Sequence, residues 1–231
     1  MSATPQLAPE DPRVKRSRLA AIEAARTLFL RNGYAGTTME DIAKLAGLSK
    51  RTLYNIYADK ETLFTQMIAD ALVYAEGFAR GLAAEFDVIT AENMPDSLYH
   101  LGHRLALAIL RPEVIALRRL LIGEARSFPE FAEQYFNAAP GRVLVLLATG
   151  FEQLSDIGLL EATDALRAAE QFAYLVVGAP LDRAILIGKI PSKKHIVGAL
   201  DTVSRRFWCV TGQSRERIEN ISCVCSTSCR D

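Results

Sequence analysis

Between residues 49 and 60 the chain gathers side chains suited to a polyanion and to the edges of nucleic-acid bases. Lys50 and Arg51 carry positive charge, Thr52 and Asn55 carry directed hydrogen-bonding groups, and Tyr54 and Tyr57 carry rings tipped with a hydroxyl. Lys60 adds one more ammonium. Arginine and asparagine make paired hydrogen bonds to purine edges, whereas lysine and hydroxyl groups suit phosphate oxygens. Leu48, Leu53 and Ile56 interrupt the polar residues at positions that turn toward a neighbouring helix. That spacing leaves Lys50, Arg51, Thr52, Tyr54, Asn55 and Tyr57 as the expected exposed set, with one of the two tyrosines expected to be partly core.

Formal net charge over the 231 residues is zero, so no global basic field marks a nucleic-acid partner. The charge is unevenly spread. Residues 13–60 hold ten basic side chains (Arg13, Lys15, Arg16, Arg18, Arg26, Arg31, Lys44, Lys50, Arg51, Lys60) against four acids (Glu23, Glu40, Asp41, Asp59). A basic end joined to an acidic remainder points to a local anionic partner.

The elements that would position these residues are helices throughout. Ile22, Ala25 and Phe29 share a face of a first helix, and Asn32-Gly33 ends it with a predicted left-handed cap. Thr37 with Glu40, or Thr38 with Asp41, has capping-box spacing for a second helix. Met39, Ile42, Ala43 and Ala46 form its apolar stripe. Gly47 fits a tight turn, Ser49 caps a short third helix to about Tyr57, and Asp59 caps a long fourth reaching about Phe86. A loop is predicted over 87–95, then helices over 96–110 and 113–126. A short helix to Asn137 is followed by a break at Pro140-Gly141. Further helices are expected over 142–155, from Asp164 to about Gly178 with a kinked continuation past Pro180, and over 193–208. The predicted fold class is all-α.

Residues 24–64, AARTLFLRNGYAGTTMEDIAKLAGLSKRTLYNIYADKETLF, resemble the N-terminal signature of TetR-family regulators nearly position for position. The matching marks are Phe29, Gly33-Tyr34, Thr37-Thr38, Ile42-Ala43, Ala46-Gly47-Leu48-Ser49, Leu53-Tyr54, Tyr57, and Lys60-Glu61 leading to Leu63-Phe64. Ile56-Tyr57 departs from the family's commoner His-Phe but keeps an aromatic anchor. The resemblance implies a helix-turn-helix over 38–57. Thr38 would hold a phosphate, Lys50, Arg51 and Thr52 would face the major groove, Tyr54 and Lys60 would bind phosphate, and Asn55 and Tyr57 could do either. It also implies a homodimer through late helices, about 142–155 and 164–178, on double-stranded operator DNA. Leu121–Phe131, Ala139-Pro-Gly141 and Ala169-Glu-Gln-Phe172 are similar to the AefR-like branch.

The domain organisation expected is a disordered arm over 1–12, a DNA-binding domain over 13–60 joined by the start of the fourth helix to about 75, a ligand-binding and dimerisation domain over 61–210, and a disordered tail over 211–231. By resemblance the second domain takes a small, largely apolar effector. The candidate lining is Phe78, His103, Arg104, Leu107, Leu121, Glu124, Phe128, Phe131, Phe151 and Phe172. Repression relieved by that effector is the expected function, with no catalytic residue, cofactor or metal.

Other chemistries find less support. The chain has no nucleophile elbow, phosphate loop, dinucleotide fingerprint or zinc-binding His-Glu helix. His100 and His103 with Glu124 are the one acid/base set that can be drawn. No stretch has the length or apolarity of a bilayer span, so a cytoplasmic location is expected. All four cysteines, Cys209, Cys223, Cys225 and Cys229, lie in the last 23 residues. Cys223, Cys225 and Cys229 could bind a soft metal or form disulfides, but a dispensable extension fits their polar surroundings better. Truncation after Thr211 is therefore expected to leave operator binding, measured by titration, unchanged; weakened binding would give the cysteine tail a role.

Overall fold

The computed structural model describes residues 11–192 together with Lys194 and Ile196. These residues are helical, with no strand among them: α1 (Pro12–Asn32), α2 (Met39–Ala46), α3 (Lys50–Ile56), α4 (Lys60–Ala83), α5 (Met94–Ile109), α6 (Pro112–Glu124), α7 (Pro129–Phe136), α8 (Arg142–Asp156) and α9 (Ala165–Ile187). The expected tail, most of the expected arm and nearly all of the expected helix over 193–208 lie outside the described residues.

Local sequence explains most boundaries. The carboxylate of Asp11 accepts from the Arg13 N–H at 2.8 Å, and Pro12 occupies the first helical position, where its missing donor costs nothing. Gly33 ends α1 at φ 76°, ψ 172°. This is a positive φ but not the left-handed cap expected; the extended ψ lets the chain leave α1 directly into the 33–37 turn. Asp59 Oδ1 accepts from the Thr62 N–H at 2.7 Å in the first turn of α4.

The break expected at Pro140-Gly141 does not form, whereas the continuation expected past Pro180 does. The predicted break at Pro140-Gly141 is a π turn over Asn137–Gly141 that joins α7 to α8. A wider turn accommodates a residue that cannot donate. α9 likewise runs through Pro180 to Ile187, where Gly188 (φ 69°) stops it. Val176, Val177 and Ala184 are buried on both sides of that proline, so packing holds the helix through the lost backbone bond.

The chain divides into two compact units. The first holds residues up to Tyr74 and also Arg119–Tyr135. Its core joins Ala21, Ile22, Ala25 and Phe29 of α1, Ile42 and Ala43 of α2, and Leu53 of α3. Leu63, Phe64, Met67 and Ile68 of α4 complete it with Leu121 and Phe131. The unit around the helix-turn-helix thus reaches past residue 60 and takes in a segment that chain order alone assigns to the later domain.

The second unit holds Ala75–Arg118 and the chain from Phe136 onward. Its core is built from Leu98, Leu101 and Leu105 of α5, Leu147, Phe151 and Leu154 of α8, and Ala169, Phe172 and Val176 of α9. Phe86, Phe151 and Phe172 form an edge-to-face chain, with successive centroids 5.7 and 5.6 Å apart. α8 and α9 pack along each other, and the Phe86 ring lies directly on the backbone of Gly150, where a Cβ would collide with it. Gly150→Ala is expected to destabilise the protein by about 1–3 kcal/mol, since overpacking forces rings off their rotamers. Thermal unfolding measures this, and Phe86→Leu in the same chain should recover part of the loss.

Candidate nucleic-acid interface

The second and third helices are fixed by a short series of backbone and cap bonds. Thr38 is the N-cap of α2: its Oγ1 accepts from the Asp41 N–H at 3.1 Å and donates to Asp41 Oδ2 at 2.6 Å. Of the two predicted capping pairs, Thr38 with Asp41 is the one formed. Thr37 is buried instead, donating its hydroxyl to Gly33 O at 2.8 Å. Gly47 takes the left-handed conformation (φ 66°, ψ 28°), a geometry costly for any residue with a Cβ. The Leu48 N–H bonds Ala43 O at 2.9 Å, closing the turn. Ser49 then caps α3 by accepting from the Thr52 N–H at 3.0 Å.

On α3 the pattern sorts one face from the other. Leu53 is fully buried against the unit's core, and Ile56 is half-buried. Lys50, Arg51, Tyr54 and Asn55 are exposed and share one side of the helix at i, i+1, i+4 and i+5. Thr52 is half-buried, with its hydroxyl 2.7 Å from that of Ser49. Tyr57 departs from the expected exposed set. It is only 7% exposed, whereas Tyr54 is 40% exposed. The chain turns extended at Tyr57, after the last turn of α3, which directs its ring inward as an anchor.

Two cations are less free than their sequence positions suggest. Lys50 makes an ion pair with Glu40 in the first turn of α2, and lies 5.8 Å from the Tyr54 ring centroid. The hydrogen bond from Lys50 holds the Glu40 carboxyl below the usual carboxylate range, and the same bond raises the Lys50 ammonium. Both side chains are well exposed, so the pair is weak and can exchange for another anion. Lys60 donates to Tyr34 O at 2.9 Å and Thr37 O at 3.0 Å, which uses two of its three donors. In the sequence Glu40 offers itself only as a capping-box partner of Thr37, and only the fold brings it to Lys50.

The ten residues proposed to line an effector site fall into two groups by the contacts they make. Leu121, Glu124, Phe128 and Phe131 belong to the first unit. There Phe128 packs edge-on to Tyr34 (centroids 4.8 Å), Phe131 packs edge-on to Phe64 (5.4 Å), and a Glu124 oxygen accepts from the Tyr34 N–H at 3.1 Å. Burial, then the charges of Glu61, Asp59 and Glu124, push the Tyr34 phenol up from its ordinary pKa, so it stays protonated. Phe78, His103, Arg104, Leu107, Phe151 and Phe172 belong to the second unit. Phe78 and Leu107 pack as half-buried residues against its core, and His103 stacks on Tyr99 with centroids 6.2 Å apart. Arg104 pairs with Glu85 and donates to Gly81 O at 3.4 Å, binding a carbonyl in the last turn of α4.

Among the described residues no group of three or more His, Cys, Asp or Glu side chains is arranged to hold a metal ion, and no helix is long and apolar enough to cross a membrane. Cys209, Cys223, Cys225 and Cys229 lie outside the described residues.

Comparison with known proteins bears on both parts of the chain. Residues 21–67 match the family model of bacterial regulatory proteins of the TetR family, and residues 96–209 match that of the AefR-like transcriptional repressor C-terminal domain. A crystal structure of a Mesorhizobium loti regulator assigned to the TetR family covers 87% of this chain and 100% of its own, with TM-score 0.77 and 28% identity. The flavonoid-responsive regulator FrrA covers 86% of this chain and 98% of its own, with TM-score 0.65 and 26% identity. Among curated proteins, the negative transcriptional regulator IcaR of the Staphylococcus epidermidis biofilm operon is 38% identical over 53 residues. The regulator YhgD of Bacillus subtilis is 41% identical over 51 residues. These alignments span 29% and 27% of those two proteins and 23% and 22% of this chain. With a helix-turn-helix under one matched model, a helical body under the other, and a solved relative aligned along its whole length, the chain belongs to the TetR family of transcriptional regulators, which bind DNA and are not enzymes.

Proposed function

We propose that the protein is a repressor that binds a two-fold-symmetric operator as a homodimer and is released by a small, largely apolar effector. The carrying observation is the single exposed face of α3, where Lys50, Arg51, Tyr54 and Asn55 stand together while Leu53 and Tyr57 hold the helix from beneath. Arg51 and Asn55 are the base readers best supported by exposure, and Lys50 joins them once it leaves Glu40. Thr52 reads through whatever its hydroxyl retains beside Ser49. Thr38, Tyr54 and Lys60 bind phosphate, with Lys60 offering its third donor.

A seven-residue helix spans few base pairs, so specificity favours two copies on successive grooves. The second unit carries a surface suited to that pairing. Val143, Leu147, Phe151, Phe172, Val176 and Val177 are spent on its core, but Val145, Leu166, Tyr174 and Leu175 remain exposed on α8 and α9. Apolar side chains left exposed on two packed helices are candidates for an association surface. The effector would enter the second unit near Phe78, His103 and Leu107. FrrA, by its name, answers to a flavonoid; a small molecule with apolar area is the matching class here. Relief of repression needs only a modest preference of that molecule for one state, about 1–3 kcal/mol of coupling.

Selection from random duplex DNA is expected to return a two-fold-symmetric site bound by a dimer in sedimentation. Lys50→Ala with Arg51→Ala should erase the sequence preference and leave the dimer intact; a double variant that still selects the same site shows that another element reads the bases. Glu40→Gln frees Lys50 for one more phosphate. The slope of log affinity against log salt on non-cognate DNA should then steepen by about 0.9. That increment should vanish in a Lys50→Ala background, whereas an increment that persists there would show that Glu40 acts by general repulsion and not through Lys50.

A further inference from the structure

The turn that carries the chain from α1 into α2 is held by charges from two distant parts of the first unit. Tyr34 is its first residue after Gly33. The Tyr34 N–H donates to Glu124 Oε1 at 3.1 Å, from 90 residues further along the chain. The Tyr34 carbonyl accepts from Lys60 Nζ at 2.9 Å, and the same ammonium lies 4.2 Å from the Tyr34 ring centroid. The ring is closed in by Phe29 (5.7 Å), Phe64 (5.0 Å) and Phe128 (4.8 Å). Glu124 and Phe128 are one helical turn apart, and the Phe128 N–H bonds the Glu124 carbonyl at 2.8 Å. One residue therefore grips the turn's backbone while its neighbour grips the side chain.

Four residues after Tyr34 comes Thr38, the cap of α2, and α2 leads through Gly47 into α3. The 33–37 turn therefore sets where the helix-turn-helix begins. Gly33 opens the turn in a backbone conformation that only glycine adopts freely, although a Cβ there would meet the Glu124 oxygen only in ordinary contact, at 3.7 Å. A charge-assisted bond to a half-buried amide is among the stronger fixings available to a turn.

We propose that Glu124 is a positioning residue for DNA reading, holding the Tyr34 amide so that α2 and α3 keep the placement a specific site requires. This rests on the reading of α3 as the DNA-contacting helix and adds that residues 119–135 are part of the reading apparatus. Glu124 touches no base in this account and acts only through the turn.

Two variants separate the hydrogen bond from the charge. Glu124→Ala and Glu124→Gln lose the same negative charge, but glutamine keeps an acceptor oxygen. Against the selected operator, Glu124→Ala is expected to bind about tenfold more weakly than Glu124→Gln, the size of effect expected for one lost hydrogen bond to a half-buried donor. Binding of both to non-cognate duplex, and their salt slopes, should agree with each other, because no phosphate contact is removed. Hydrogen exchange on the unmodified protein gives a second reading that does not depend on a variant folding: the Tyr34 amide should exchange far more slowly than an open turn amide. Equal operator affinity of the two variants, or a Tyr34 amide that exchanges at the open-turn rate, overturns the inference. A wild-type protein that selects no operator would instead overturn the DNA-reading assignment on which it rests.

Discussion

A turn of five residues, 33–37, governs how this protein presents its helix-turn-helix. Only part of its backbone closes on itself, the Thr37 N–H meeting the Tyr34 carbonyl at 3.3 Å, and a half-buried polar group left without a partner is costly. The Tyr34 amide and carbonyl are met by a carboxylate and an ammonium drawn from Glu124 and Lys60, and Thr37 closes back on Gly33. The rings of Phe29, Phe64 and Phe128 give the same residue an apolar seat. Charge therefore orients the turn while dispersion and burial hold it in place.

The same economy of charge appears on the reading face. Ten basic side chains between residues 13 and 60 suggested a broadly attractive surface. Near the helix-turn-helix, Lys60 is turned to backbone carbonyls, and Lys50 is met by Glu40. Electrostatic affinity for any duplex rises with the number of phosphates neutralised, so internal partners restrain indiscriminate binding and leave relative weight to groups that read bases. Arg51 and Asn55 lie on the open side of α3.

The second unit shows how an apolar surplus is divided. One side of α8 and α9 fills a core centred on the Phe86–Phe151–Phe172 chain. It packs so closely that Gly150 has no room for a methyl group. The other side keeps Val145, Tyr174 and Leu175 at the surface.

Helix identity, the capping residues and the sorting of α3 were all legible from the chain alone, because they depend on interactions within a few residues. Thr38, Gly47 and Ser49 each act on backbone at most four positions away, and the period of Ile42, Ala43 and Leu53 fixes which side turns inward. The π turn at Pro140, and which of Tyr54 and Tyr57 turns inward, were not legible. In each, packing decided between local options of similar cost. Least visible were Glu124 beside Tyr34 and Glu40 beside Lys50. In the sequence Glu124 resembles a polar residue of a sensing site and Glu40 a routine helix-start acid. Their partners lie 90 and 10 positions away, and a charge reveals its purpose only when folding brings it within hydrogen-bonding distance of the group it satisfies.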